Sequence, residues 1–218
     1  LVAALVAIAI ALAAPSAAGA VPAPEPAASA PVAAPAGTFS MNLYRPGDFV
    51  PQATAYWCIG ASMAMMLNVI GITDDGSRAA QERYMRAARD GGRGAASSAR
   101  AEAPVGDLRG AGSAGWARGL VELGAGNYQE RVVDGYDEAV RAAADALRRT
   151  ERPVGLIVWR GAHAWVMTGF TATADPLLDP QFRVTGLYIQ DPWYPRVSSI
   201  WGPGKKPNTY LSAQALKS

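Results

Sequence analysis

Two residue types in this chain could do nucleophilic chemistry together, and each occurs once: a single cysteine, Cys58, and a single histidine, His163. A thiol attacks carbonyl carbon as the thiolate, so it needs a local field that favours negative charge and a proton acceptor within hydrogen-bond reach. Cys58 stands where an irregular segment punctuated by Pro46, Gly47 and Pro51 gives way to an apolar run, the expected start of a helix. Unpaired N–H groups and the dipole at a helix N-terminus supply such a field. His163 opens a β-rich stretch and would be the acceptor, while Asp191, 28 residues later, closes the next one at Ile189-Gln190-Asp191-Pro192. In an antiparallel hairpin the start of one strand lies beside the end of the next, so Asp191 can reach and orient the His163 ring. Gln52, six residues before Cys58, would offer its side-chain amide, beside the Cys58 N–H, to a developing oxyanion. Each residue also has a plainer reading: a buried inert thiol, a core histidine, a turn aspartate. Order and spacing taken jointly favour the chemical one.

The elements that must position these residues are legible in outline. Ile59 to Ile70 is apolar nearly all the way round, which predicts a central buried helix stopped by Gly71. Further helices are expected over Ser77 to Ala88, Ser113 to Leu123 and Tyr136 to Arg149. The last has Asp137 and Glu138 in its first turn and Arg148 and Arg149 in its last, as the helix dipole prefers. Gly91 to Pro104 lacks periodicity and is expected to be a mobile loop. Strands are expected over Val154 to Trp159, Ala164 to Thr173 and Phe182 to Gln190, all rich in β-branched and aromatic residues. Helices first and strands later predict an α+β domain built on an antiparallel sheet.

The segment Pro51-Gln52 followed by Cys58, Gly60-Ala61-Ser62 and a methionine-rich helix resembles the active-site segment of papain-like cysteine peptidases. The bacteriocin-processing, double-glycine-peptidase-like branch is the most similar. Gly161-Ala162-His163-Ala164-Trp165-Val166 resembles the histidine strand of that branch, and Asp191-Pro192 resembles the Asp-Pro that ends its following strand. The resemblance implies the papain-like α+β fold, with Cys58 as nucleophile, His163 as base, Asp191 as orienter and Gln52 as oxyanion donor. It implies no cofactor and no metal, and a peptide or protein substrate cleaved through a thioester acyl-enzyme. One departure is that Ile59 intervenes between the cysteine and Gly60, where the family usually has glycine directly after the cysteine. With no Walker-type glycine motif, leader cleavage coupled to ATP-driven export is not implied. A transglutaminase-like or cell-wall amide hydrolase with the same triad stays open, as does a secreted binding module with a vestigial triad.

Composition narrows the setting. A formal net charge of +2 without a basic run gives nucleic acid nothing to hold. One Cys and one His leave a zinc site short of two ligands. The opening apolar run of 14 residues, stopped by Pro15, is short for a membrane span and suits the core of a signal peptide, with Ala18-Gly19-Ala20 as the cleavage site. Residues 1–20 are therefore expected to be a signal peptide, 21–37 an alanine- and proline-rich linker, and 38–218 the catalytic domain of a secreted protein with no stable membrane insertion after cleavage. A lone cysteine forms no internal disulfide, and an exported free thiol invites oxidation, which hints that it is kept for use.

Overall fold

A computed structural model describes residues 5–11, 38–91 and 110–216, the first stretch as backbone pairing alone. In chain order the elements are β1 (Leu5–Ala11), β2 (Phe39–Asn42), α1 (Cys58–Val69), α2 (Arg78–Gly91), α3 (Ser113–Glu122), β3 (Tyr128–Asp134), α4 (Tyr136–Thr150) and β4 (Val154–Val158). They continue with β5 (His163–Ala172), β6 (Val184–Gln190), β7 (Val197–Ser198), β8 (Gly202–Pro203) and β9 (Thr209–Ser212). The strands pair in the order β3-β1-β4-β5-β6-β9, β2 adds to β5, and β7–β8 form a separate hairpin. All of these pairings are antiparallel. This is the expected α+β architecture, and the four helices fall within a few residues of their expected spans. Most of the stretch read as a mobile loop, from residue 92 on, and the whole linker lie outside the described residues.

Strand β5 organises the molecule, and its alternation shows why. Ala164 and Val166 join a core shared with α1, α2 and α3, whereas Trp165 and Met167 join one shared with α4, β4 and β6. Side chains on a strand alternate between faces, so β5 is the layer between two helical covers and must be apolar on both. Helix α1 is buried at every position from Ile59 to Asn68, as its unbroken apolar run requires. That burial depends on Gly60, whose absent Cβ would stand 2.7 Å from the Gln81 carbonyl oxygen and 2.7 Å from Met85 Cγ on α2. Backbone cannot swing aside as a side-chain tip can, so Gly60→Ala must push α2 off α1. It is expected to cost about 1–3 kcal/mol, read as a lowered denaturation midpoint with an unchanged slope. The glycine displaced by Ile59 in the sequence thus has a packing role one position later.

Residues 5–11, expected to lie outside the domain as an export signal, are here the strand β1 between β3 and β4. A short run of leucine, valine, isoleucine and alanine satisfies both descriptions, because apolar length alone does not separate a signal core from a strand. Strand β2 opens the stretch from Phe39 to Trp57 that the sequence reads as irregular, and it forms through pairing with the distant β5; β3 had no expectation in the sequence. In β3 the pattern Tyr-Gln-Glu-Arg-Val-Val-Asp buries only Tyr128 and Val133, so the period-2 signal is missing.

Candidate active site

Cys58 is the first residue of α1, and its N-cap residue Trp57 makes no side-chain capping bond. Two first-turn donors are taken, Ala61 N–H by the Trp57 carbonyl at 3.0 Å and Gly60 N–H by Met85 Sδ at 3.1 Å. The N–H groups of Cys58 and Ile59 instead act on the Cys58 sulfur, together with that of Ala164 on β5. The Ala164 contact puts the sulfur beside the residue that follows His163. Burial nevertheless dominates and pushes the thiol up to about 11; the three backbone donors lower it, and the Asp191 carboxylate raises it further. By itself the pocket holds a neutral thiol.

His163 begins β5 directly after a tight turn and is buried. Its Nε2 lies 2.7 Å from Asp191 Oδ1. The carboxylate is fully buried and also accepts Trp193 N–H on Oδ1 at 2.9 Å and Lys205 N–H on Oδ2 at 2.8 Å. An ionised carboxylate only accepts, so His163 donates its Nε2–H, and Nδ1 is the atom left to take a proton. The ring is further fixed by Trp159, stacked on it at 4.2 Å and 24°, and by the edge of Trp193 at 6.3 Å and 81°. Trp159 reaches this position through a left-handed turn, with φ of 52° at Trp159, 54° at Arg160 and 92° at Gly161. Only the glycine adopts it freely; each of the other two costs about 1–2 kcal/mol.

The other two aspartates that follow His163 are engaged elsewhere. Asp175 takes Arg148 Nε and Nη2 at 2.9 Å each, and Asp179 accepts the Gln181 N–H at 2.7 Å, both between β5 and β6. The register Val166↔Gln190 brings the chain back so that Asp191 lies level with the start of β5.

Gln52 lies in the segment before α1, buried, with its backbone N–H donated to the Pro192 carbonyl at 2.9 Å. Its Nε2 donates to the Thr54 carbonyl at 2.7 Å, and Oε1 is buried without a partner. The amide expected to serve an oxyanion thus spends one N–H locally and keeps a second. Two residues with no expected role hold this segment. Gln81 on α2 accepts Ala53 N–H at 2.8 Å and donates to the Pro51 and Gly76 carbonyls at 3.1 and 3.0 Å. Arg196 donates to the carbonyls of Gln52 and Ala53 at 3.1 and 3.3 Å. The Pro192 and Arg196 contacts tie the Gln52 segment to the loop that carries Asp191, so Gln52, Asp191 and His163 share one hydrogen-bonded frame. Among the described residues no group of three His, Cys, Asp or Glu side chains is placed to hold a metal ion, and no helix is long and apolar enough to cross a membrane.

A family model described as the Peptidase_C39 like family matches residues 47–210, a span that contains Gln52, Cys58, His163 and Asp191. No curated protein matches and no solved structure matches.

Proposed function

The chain belongs to the Peptidase_C39-like family and is a cysteine peptidase, and we propose that Cys58, His163 and Asp191 are its catalytic triad, with Gln52 and the Cys58 N–H as oxyanion donors. The observation that carries this reading is the buried 2.7 Å bond between His163 and Asp191, next to the Ala164 N–H that acts on the Cys58 sulfur. The steps follow from those contacts. His163 Nδ1 takes the Cys58 proton, and the thiolate adds to the carbonyl carbon of a peptide bond. The oxyanion is met by the Cys58 N–H and the second Nε2–H of Gln52. The C–N bond then breaks as the His163 imidazolium delivers its proton to the departing amine, leaving a thioester on sulfur. Water, deprotonated by His163, adds to the thioester; the C–S bond breaks, the acid leaves, and the proton returns to the thiol.

Labelling with an epoxide or vinyl-sulfone probe tests the reading: the adduct should sit on the peptide containing Cys58. A protein that hydrolyses peptides but takes no adduct there would remove Cys58 from the mechanism. Gln52→Ala should lower turnover by about 10²–10³-fold, the scale of one oxyanion-hole donor. Alkylation of Cys58 by iodoacetamide should hardly change, because Gln52 is not asked to ionise the thiol. If alkylation collapses with turnover, Gln52 is a structural residue instead.

Export is part of the same proposal, supported by the leading apolar run and Ala18-Gly19-Ala20. N-terminal sequencing of secreted protein should begin at Val21; a chain recovered outside the cell with residues 1–20 intact would overturn cleavage. Cutting there removes β1 and leaves β3 and β4 without their common neighbour.

A further inference from the structure

A ladder of aromatic rings leads away from His163 to the surface. Trp159 lies on the imidazole at 4.2 Å, and Trp201 lies on Trp159 at 5.7 Å with only 9° between the ring planes. Trp201 belongs to the β7–β8 hairpin, which exposes 38% of it together with 78% of Ile200 and 71% of Val197. This hairpin is rooted at its base. Arg196 N–H donates to the Trp193 carbonyl at 2.7 Å, Gly204 N–H to the Arg196 carbonyl at 2.9 Å, and Lys205 N–H to Asp191 Oδ2 at 2.8 Å. Its apolar face is therefore held in register with the same carboxylate that orients His163. Apolar side chains kept in water on an anchored hairpin, continuous with a reacting group, mark a surface built to be covered.

The chemistry assigned to His163 says which part of a substrate covers it. His163 gives its proton to the departing amine, so the amine half of the scissile bond lies on the histidine side of the site, and the acyl half lies towards Cys58 and Gln52. Trp159 stacks on the histidine, and Trp201 and Ile200 extend that surface outward. We propose that Trp159, Trp201 and Ile200 form the binding surface for the residues following the cut, and select peptides with apolar or aromatic side chains there. The inference rests on the triad reading above and adds the substrate class. Flat rings and branched aliphatics gain most from an indole face, while charged side chains lose hydration without a partner.

The test uses the full chain and a peptide mixture from digested cellular protein whose amines have been blocked, so that every new amino terminus reports one cut. Sequencing those termini should show apolar and aromatic residues enriched at the first two positions after the cut. Trp201→Ala and Ile200→Ser should each reduce that enrichment, by about tenfold for the indole. Ile200→Ser, at a side chain largely in water, carries the comparison if Trp201→Ala fails to fold, and its Cys58 alkylation should match wild type. Cuts without an amine-side preference, or with one unchanged in Ile200→Ser, overturn the surface while leaving the triad in place. Absence of cuts beyond those of Cys58→Ala defeats the triad reading itself, and the surface falls with it.

Discussion

Replacing His163 with alanine is expected to move the pH midpoint of Cys58 alkylation from below the ordinary thiol range towards about 11. Burial sets most of that upper value; the Asp191 carboxylate adds to it, and three backbone N–H groups offset part of it. On the proposed mechanism the thiolate forms by passing its proton to His163, and the resulting pair must outweigh burial. Opposite charges about 4 Å apart at an effective dielectric constant of about 20 attract by about 4 kcal/mol. That is enough to bring a thiol from about 11 to about 8. Asp191 and the stacked Trp159 hold the same ring in place for that pair by their own contacts. Loss of the attraction alone reduces the thiolate fraction at pH 7 by about 10³-fold. A more basic thiolate is intrinsically more nucleophilic and returns about 20-fold. The net slowing of alkylation is then about 50-fold at pH 7, vanishes near about pH 10 and reverses above it, whereas peptide hydrolysis is lost at every pH because no acid remains for the leaving amine. Alkylation of wild-type protein and His163→Ala with superimposable pH profiles would show that the histidine never holds the cysteine proton.

The residues of that site could be found in the sequence because they interrupt patterns that the fold needs. Cys58 is the point where an unbroken apolar helix starts, and His163 and Asp191 bracket an antiparallel pair of strands rich in β-branched and aromatic residues. The supporting frame left no such mark. Gln81 sits among alanines and arginines on α2, and its three bonds reach backbone groups that any residues would supply. Arg196 contacts a carbonyl 144 positions earlier in the chain, a distance over which no periodic pattern persists. The pattern of Val154 to Trp159 predicts strand to its end, whereas Trp159 opens a left-handed turn, a conformation that a bulky side chain does not advertise. The loop after Asp191 alternates neither as strand nor as helix, so a hairpin of two-residue strands carrying Trp201 could not be read from it. Local propensity places the proposed triad; the contacts that hold it are long-range.

Asp191 separates a positioning carboxylate from a turn residue more sharply than any other position. Asp191→Ala is expected to lower turnover by about 10³–10⁴-fold, the scale seen when a catalytic histidine loses its orienting partner. The alanine variant orphans three donors, the buried His163 Nε2–H and the partly buried N–H groups of Trp193 and Lys205. Each costs about 1–3 kcal/mol, so circular dichroism must first establish that the protein is folded. Asp191→Asn is the informative companion. With its carbonyl oxygen in the Oδ1 place, it still accepts from His163 and Trp193, but its amide meets the Lys205 N–H, donor against donor. Turned the other way, it satisfies Lys205 and presents N–H groups to His163, forcing the proton onto Nδ1 and removing the base. Two acceptor bonds outweigh one, so the first orientation prevails: Asp191→Asn should keep measurable activity, with lower stability than wild type. Asp175→Ala breaks the bidentate Arg148 pair and Asp179→Ala a local turn, neither of which touches His163. Both should turn over substrate near the wild-type rate with an unchanged pH profile. Folded Asp191→Ala with wild-type turnover would take Asp191 out of the site, and a deeper loss in Asp175→Ala would move the orienting role to the far end of the sheet.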